Sequence, residues 1–549
     1  VVPAEVATTS AREALRVDRV RVPAIRWVPA GDGSGSSATV RLPRDYDHPT
    51  GAKFRIALFK VPAADPAHRI GTLFVNPGGP GGSGVALAKS ATTFLSSEIL
   101  NRFDIVGFDP RGTNSSTPVR CFTSAAKQDA ALAGMGLAFP YTAAQETRFL
   151  ASAKKLAADC SATGRPVASS MSTAEVARDL DVLRRAVGDA KLSYLGFSYG
   201  TYLGEVYANL FPDRVRALAL DGVVNPVDWT GSPSTAGVPT TLRIKAAAAA
   251  WNTLQAGLQR CAAAGAAYCP LKDPSADFGR VAASLRKNGP VYVSDSSGTF
   301  VYSYDDFISE VLGLLYYPQG MDYVARLTAL LGSTLNPTSG QALQRAGTAL
   351  VKLDRSYRKA VRAQSVVTGS YDNDLDAYSG VLCTDSYEPR NPRTWRTATA
   401  KAEASTPYFG RIWGWSDAQC ATKYWTAADE DAYRGSFTRA TAAPVLIVGN
   451  HYDPATNYDN AVTTASLMPN SYLVSSESWG HTAYGTSACV TGRVDNYLLT
   501  VARPDPGTCT GDVQPFTTTL DSAAAASGSL ARVAARAGLP PVVQPWTGA

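Results

Sequence analysis

Gly196-Phe197-Ser198-Tyr199-Gly200 reads G-x-S-x-G, with the apolar run LSYLGF ahead of it and a helical pattern behind it. In that setting the serine rides a sharp strand-to-helix turn, where side chains in place of the glycines would crowd the neighbouring strand and helix. A hydroxyl attacks a carbonyl at neutral pH only if a base takes its proton and an acid orients that base. Four histidines make the choice of base short. His48 (RDYDHPTG) and His68 (DPAHRIG) stand in turn-like stretches before the serine and read as surface residues. His481, in SSESWGHTAYG, follows the apolar run SYLVS and is the expected base. Asp453, just past the apolar run of VLIVGNHYDPATN, is the expected acid, with Asp459 ranked behind it because it stands further from that run. His451 is the rival base, but acid and base normally come from separate loops. Ser198, Asp453 and His481 stand in one of the chain orders that acyl-transfer triads adopt. An imidazole base implies activity that falls as pH drops through roughly 6 to 7.

A second stretch, TLFVNPGGPGGSGVALA, puts Gly79, Gly81 and Gly84 in the pattern G-x-G-x-x-G, with Asp104 twenty residues beyond. Such glycines could cradle a dinucleotide pyrophosphate. The ribose-binding acid should end the next strand, however, and Asp109 ends it inside FDPRG, where Pro110 and Arg111 read as a loop brace. Attack by Ser198 offers these glycines another use. It creates an oxyanion that needs two backbone N–H donors, one just after the nucleophile and one from the loop after an early strand. Tyr199 supplies the first and Gly79 is expected to supply the second. No cofactor is expected.

These groups need a frame to hold them. FRIALFKV, TLFVN, FDIVGFD, LSYLGF, RVRALALDG, APVLIVGN and SYLVS read as strands separated by turns and helical periodicity. Apolar runs alternating with helices indicate the α/β class, a mostly parallel sheet covered on both faces. The alternation breaks after Asn225, and Ala-rich helical stretches mixed with aromatic segments run to Asp431. Three parts follow: 1–225 with the glycine loop and the serine turn, 226–431 as an inserted, mainly helical cap, and 432–549 with the Asp and His loops. The Ala-rich tail after Asp521 reads as a terminal helix or arm.

Composition excludes other classes. A chain of 549 residues, 45% hydrophobic and 18% charged, can bury a large core. A net charge of +6 without a dense Lys/Arg block argues against a nucleic-acid partner. No apolar run approaches the roughly 20 residues that span a bilayer. The eight cysteines form no C-x-x-C and the histidines no H-E-x-x-H, so no metal site is expected. Their clustering suggests local disulfides instead: Cys121 with Cys160, Cys261 with Cys269, Cys383 with Cys420, Cys489 with Cys509. Disulfides and the start VVPAEVATTS fit a mature secreted protein.

With NPGGPGGSG, FDPRG, GFSYGTYLGEVYA, GNHYDPATNY and WGHTAYG in hand, the chain resembles the secreted tripeptidyl aminopeptidases, relatives of the proline iminopeptidases among α/β-hydrolase serine peptidases. The likeness covers about 55–224 and 406–509. Proline iminopeptidases carry His and Gln where Pro77 and Pro110 stand here, which points to the tripeptidyl branch and leaves proline preference open. The resemblance implies an α/β-hydrolase fold and release of short peptides or single residues from free N-termini of peptides or proteins through an acyl-enzyme. Such a reaction requires an anion for the substrate ammonium. Glu205 is one candidate, seven residues after Ser198 and two helical turns on, with a paired core acid as the other reading. Asp385, in LCTDSYEP, is a second candidate. Trp413, Trp415 and Tyr424 either line a pocket or fill the cap core. An esterase or lipid acyl hydrolase would use the same triad.

Overall fold

All seven apolar runs fold into strands of one ten-stranded sheet. The structure, a computed structural model, describes residues 5–295, 298–364 and 371–520, with the side chains of all of these but 294, 295, 298 and 356–364. The tail after Asp521 lies outside the described residues.

The strands are β1 (Val28–Pro29), β2 (Ser36–Pro43), β3 (Lys53–Val61), β4 (Gly71–Asn76), β5 (Phe103–Phe108), β6 (Leu192–Phe197) and β7 (Val215–Asp221), then β8 (Val291–Asp295) and β9 (Gly298–Tyr302), then β10 (Val445–Tyr452), β11 (Tyr472–Trp479) and β12 (Cys509–Thr510). The sheet order is β1-β2-β3-β5-β4-β6-β7-β10-β11-β12. From β5 to β12 every pairing is parallel, while β1, β2 and β3 add antiparallel at one edge. The chain is an α/β-hydrolase fold. Strand order reverses at β4, so the loops after β4 and β6 open beside each other at the carboxyl edge, where such sheets bind ligands. β4 and β6 are buried along their whole length. Phe74 faces one core layer while Leu73 and Val75 face the other, the alternation a strand imposes.

β2, whose polar SSAT start hides its alternation, was not foreseen; β1 and β12 are too short to carry a period. Between β7 and β10 the chain leaves the sheet. This insert is helical apart from the hairpin β8–β9, with helices such as Ala246–Ala264, Tyr304–Leu315, Gly320–Leu335, Asp374–Asp385 and Phe409–Trp415. Its side chains do not form a core of their own. Leu254, Leu312, Trp395 and Trp415 of the insert share one apolar cluster with Val40, Phe74, Tyr194 and Leu218 of the sheet.

Polar groups and disulfides brace each region within itself. Arg111, fully buried, donates to Asp179 and Glu175 at 2.7 Å each and to the backbone oxygens of Pro43, Arg44 and Ser170, which makes it the brace expected of FDPRG. Disulfides join Cys121–Cys160, Cys261–Cys269, Cys383–Cys420 and Cys489–Cys509, the four pairs expected from their clustering. Among the described residues no helix is long and apolar enough to cross a membrane.

Candidate active site

Ser198 follows the last residue of β6 with φ 56° and ψ −129°, a conformation that costs an L-residue energy unless the surroundings impose it. They do impose it. Its N–H donates to Asp221 O at 2.9 Å, and a Cβ on Gly200 would stand 2.8 Å from Asn76 Oδ1. Tyr199 then opens the helix Tyr199–Leu210, so its N–H is one of those a helix leaves without an internal acceptor. Across the turn lies Gly78, at φ +90°. A Cβ there would meet Phe197 O at 2.4 Å and both Ser198 Cβ and Tyr199 N at 2.9 Å. Gly78 donates its own N–H to Asn76 Oδ1 at 2.9 Å, and Gly79 forms part of the cavity wall beside Ser198 and Tyr199.

Asp453 and His481 follow the ends of β10 and β11, which pair with each other. His481 Nδ1 lies 2.9 and 2.8 Å from the two Asp453 carboxylate oxygens. Facing a carboxylate, Nδ1 carries the proton and Nε2 the lone pair. Nε2 is buried and has no hydrogen-bond partner among the described residues. Burial alone would push the Asp453 carboxyl up, yet the adjacent imidazole and the N–H groups of Thr456 and Ala455 hold it below its ordinary value. Those N–H groups donate at 2.9 and 2.8 Å, and Thr456 Oγ1 adds a third bond at 2.9 Å. Asp453 is therefore held in its ionised form.

The rivals lie elsewhere. His451 is exposed and stacks on Tyr458 with ring centroids 3.8 Å apart. His48 and His68 are exposed and bond to Asp45 and Asp65. Asp459 is exposed at the start of the helix Tyr458–Leu467. Asp109 accepts from Ser83 Oγ, Ser115 N and Val85 N, so its carboxylate is occupied inside the loop and is not offered to a ribose.

A cavity of about 40 Å3 opens at Ser198. Gly79 and Tyr199 form its floor, and Ile244, Tyr316, Tyr378 and Trp413 of the insert stand among its walls, which carry no charged side chain. Trp415 is buried against Phe149, and Tyr424 is half-buried beneath Lys154, so of the three aromatics only Trp413 reaches the cavity. Neither expected ammonium-binding acid lines it. Glu205 is fully buried with both carboxyl oxygens unbonded, and burial pushes it well above its ordinary value. Asp385 accepts from Thr173 N at 2.8 Å, Thr173 Oγ1 at 2.6 Å and, at 3.4 Å, from Nε1 of Trp229, itself a cavity residue. Burial raises Asp385 to about 6. Two larger cavities, of about 460 and 670 Å3, lie at Arg44/Glu175 and at Lys127/Lys155, and neither is lined by Ser198, Asp453, His481, Glu205 or Asp385.

The model of the α/β-hydrolase fold matches residues 71–239, which hold Gly79 and Ser198, and that of TAP-like proteins matches 406–510, which hold Asp453 and His481. Tripeptidyl aminopeptidase of Streptomyces lividans is 30% identical over 476 residues, 84% of this chain and 81% of that protein. The chain belongs to the tripeptidyl aminopeptidase and Hip1 group of α/β-hydrolases. Within this TAP-like group, Serine protease Hip1 of Mycobacterium tuberculosis is 30% identical over 87% of each chain. Carboxylesterase B of the same organism is 33% identical over 84% of each. The TAP-like chain is a serine hydrolase.

Several supporting residues of this TAP-like site carry no signature of their own. Asp221, the last residue of β7, accepts from Ala483 N at 3.2 and 3.0 Å and from Tyr484 N at 2.7 Å, holding the loop of His481. Burial raises it to about 6. Asn450 Nδ2 donates to Gly480 O at 2.8 Å on the same loop. An acid ending the strand after the serine turn was the available signal for Asp221; its target, 262 residues away, was not legible.

Proposed function

We propose that this chain is a serine exopeptidase that removes short peptides, tripeptides foremost, from free N-termini of peptides or proteins through an acyl-enzyme on Ser198. The His481–Asp453 pair at the edge where Ser198 is presented carries this reading. In the first step Ser198 Oγ attacks the scissile carbonyl while His481 Nε2 takes the hydroxyl proton. The oxyanion forms against the N–H groups of Tyr199 and Gly79, since Gly78 has already given its N–H to Asn76. Collapse breaks the C–N bond, His481 returns the proton to the leaving amine, and water then releases the acyl peptide by the same route. Asp453 stays ionised throughout and stabilises the imidazolium.

The uncharged cavity favours a small, uncharged residue before the cut. For the substrate ammonium we favour Asp385 over Glu205, because Asp385 is bonded to Trp229 of the cavity wall. Four disulfides support an extracellular place of work. The likeness to Carboxylesterase B supports a second reading, an esterase with the same triad.

A panel of aminoacyl, dipeptidyl and tripeptidyl anilides, each free and N-acylated, run beside short esters, separates the two. Free tripeptidyl anilides should be cleaved fastest and their acylated forms at least about tenfold more slowly, the scale of one lost charge contact. Equal cleavage of free and acylated peptides, with esters fastest, would establish the esterase. Ser198→Ala should abolish both activities.

A further inference from the structure

We propose that Tyr316, contributed by the insert, is a positioning residue that holds the imidazole of His481. The inference rests on the reading of Ser198, Asp453 and His481 as the catalytic triad, and it adds a fourth member from the other side of the site. The helix Tyr304–Leu315 ends at Tyr316, and the turn Tyr316-Tyr317-Pro318 leads towards the helix Gly320–Leu335. That turn lies against the His481 loop at three points.

His481 N donates to Tyr316 O at 3.0 Å. The tyrosine and imidazole rings meet with centroids 5.0 Å apart and planes at 66°. Gly480, at φ +100°, lets the two backbones touch: a Cβ there would stand 2.8 Å from Tyr316 O and 3.1 Å from Tyr317 C. Tyr316 is only 2% exposed and also lines the cavity at Ser198.

The physical need for this contact follows from what Asp453 leaves undone. A carboxylate on Nδ1 fixes the tautomer and one edge of the ring, and Gly222 stands close to its Cε1, where a Cβ would lie 3.1 Å away, which leaves Tyr316 to hold the ring from the side of the insert. Asp221 and Asn450 hold the loop by its backbone. Tyr316 packs on the ring itself. The charged or titratable groups that face His481 are Asp453 from the loop after β10, Asp221 from the end of β7, and Tyr316 itself.

Tyr316→Phe and Tyr316→Ala, assayed on a tripeptidyl anilide and on a short acyl ester, test the proposal. Phenylalanine keeps the ring and should stay within about twofold of the parent enzyme. Alanine should lower kcat about 30-fold on both substrates and leave KM within about twofold. If the alanine protein does not fold, Tyr316→Leu, which fills the space without a ring, is read against the same expectations. A loss confined to the KM of the peptide would leave Tyr316 a cavity wall alone and overturn the proposal, as would a kcat unchanged in the alanine variant. A phenylalanine variant as poor as the alanine one would transfer the role to the hydroxyl and overturn it too. Failure of the triad reading is seen separately, as turnover that survives Ser198→Ala.

Discussion

At the scale of single residues, the shape of the candidate site depends in part on Asp221, which does not line the cavity at Ser198. Asp221 accepts two successive backbone N–H groups just beyond His481. Oδ2 already accepts from both, at 3.0 and 2.7 Å; Asp221→Asn removes the charge from that acceptor and sets an amide group, in place of Oδ1, against Ala483 N, a donor it cannot bond. We expect kcat to fall about tenfold on peptides and esters alike with KM little changed, the size of a lost charged hydrogen bond; steady-state kinetics on both substrates checks it. A retained kcat would mean the loop keeps its shape without this acid. The catalytic candidates were legible because acyl transfer demands particular residue types in a permitted chain order. Asp221 and Tyr316 were not, because their roles exist only where distant segments meet. An aspartate and a tyrosine are otherwise ordinary.

At the scale of elements, the site is a set of loops leaving one edge of a parallel sheet. Each apolar run foreseen as a strand is one, since continuous burial on both faces leaves a plain apolar signature. Strands with a polar start or two residues leave none. The loop after β4 and the serine turn approach closely at Gly78, where a Cβ would stand 2.4 Å from Phe197 O. Gly78→Ala must push the two loops apart and displace an oxyanion donor. We expect kcat/KM to drop about 100-fold, as when such a donor is removed. Gly33→Ala is the control: φ is +74° there too, but nothing lies within 4 Å, so it carries backbone strain without the overlap and should keep full activity. Equal activity of the two variants would show that the contact does not matter.

At the scale of the whole molecule, carboxyls buried across both the sheet region and the insert set the dependence of stability on pH. Burial raises Asp221 and Asp385 to about 6 and Asp376 to about 7, and pushes Glu205 up as well. In the unfolded chain these groups titrate near 4. Between about pH 4 and 7 the native state therefore binds more protons, so its stability is full at the low end and declines as pH rises through the folded values. Asp453, held below its ordinary value, acts in the opposite sense, and its contribution is lost as pH falls below about 4. Tm should be higher at pH 5 than at pH 8 by calorimetry, and Asp376→Asn should flatten part of that slope. A Tm that rises from pH 5 to 8 would contradict the burial of these acids. Chain punctuation made the insert legible as a separate stretch, but its union with the sheet was not, since a shared apolar cluster has no mark in local composition. That union bears on engineering. Exchanging the insert for that of a relative would import side chains shaped for another sheet, so substrate preference in this chain should be open to point changes at the cavity wall and closed to module grafting.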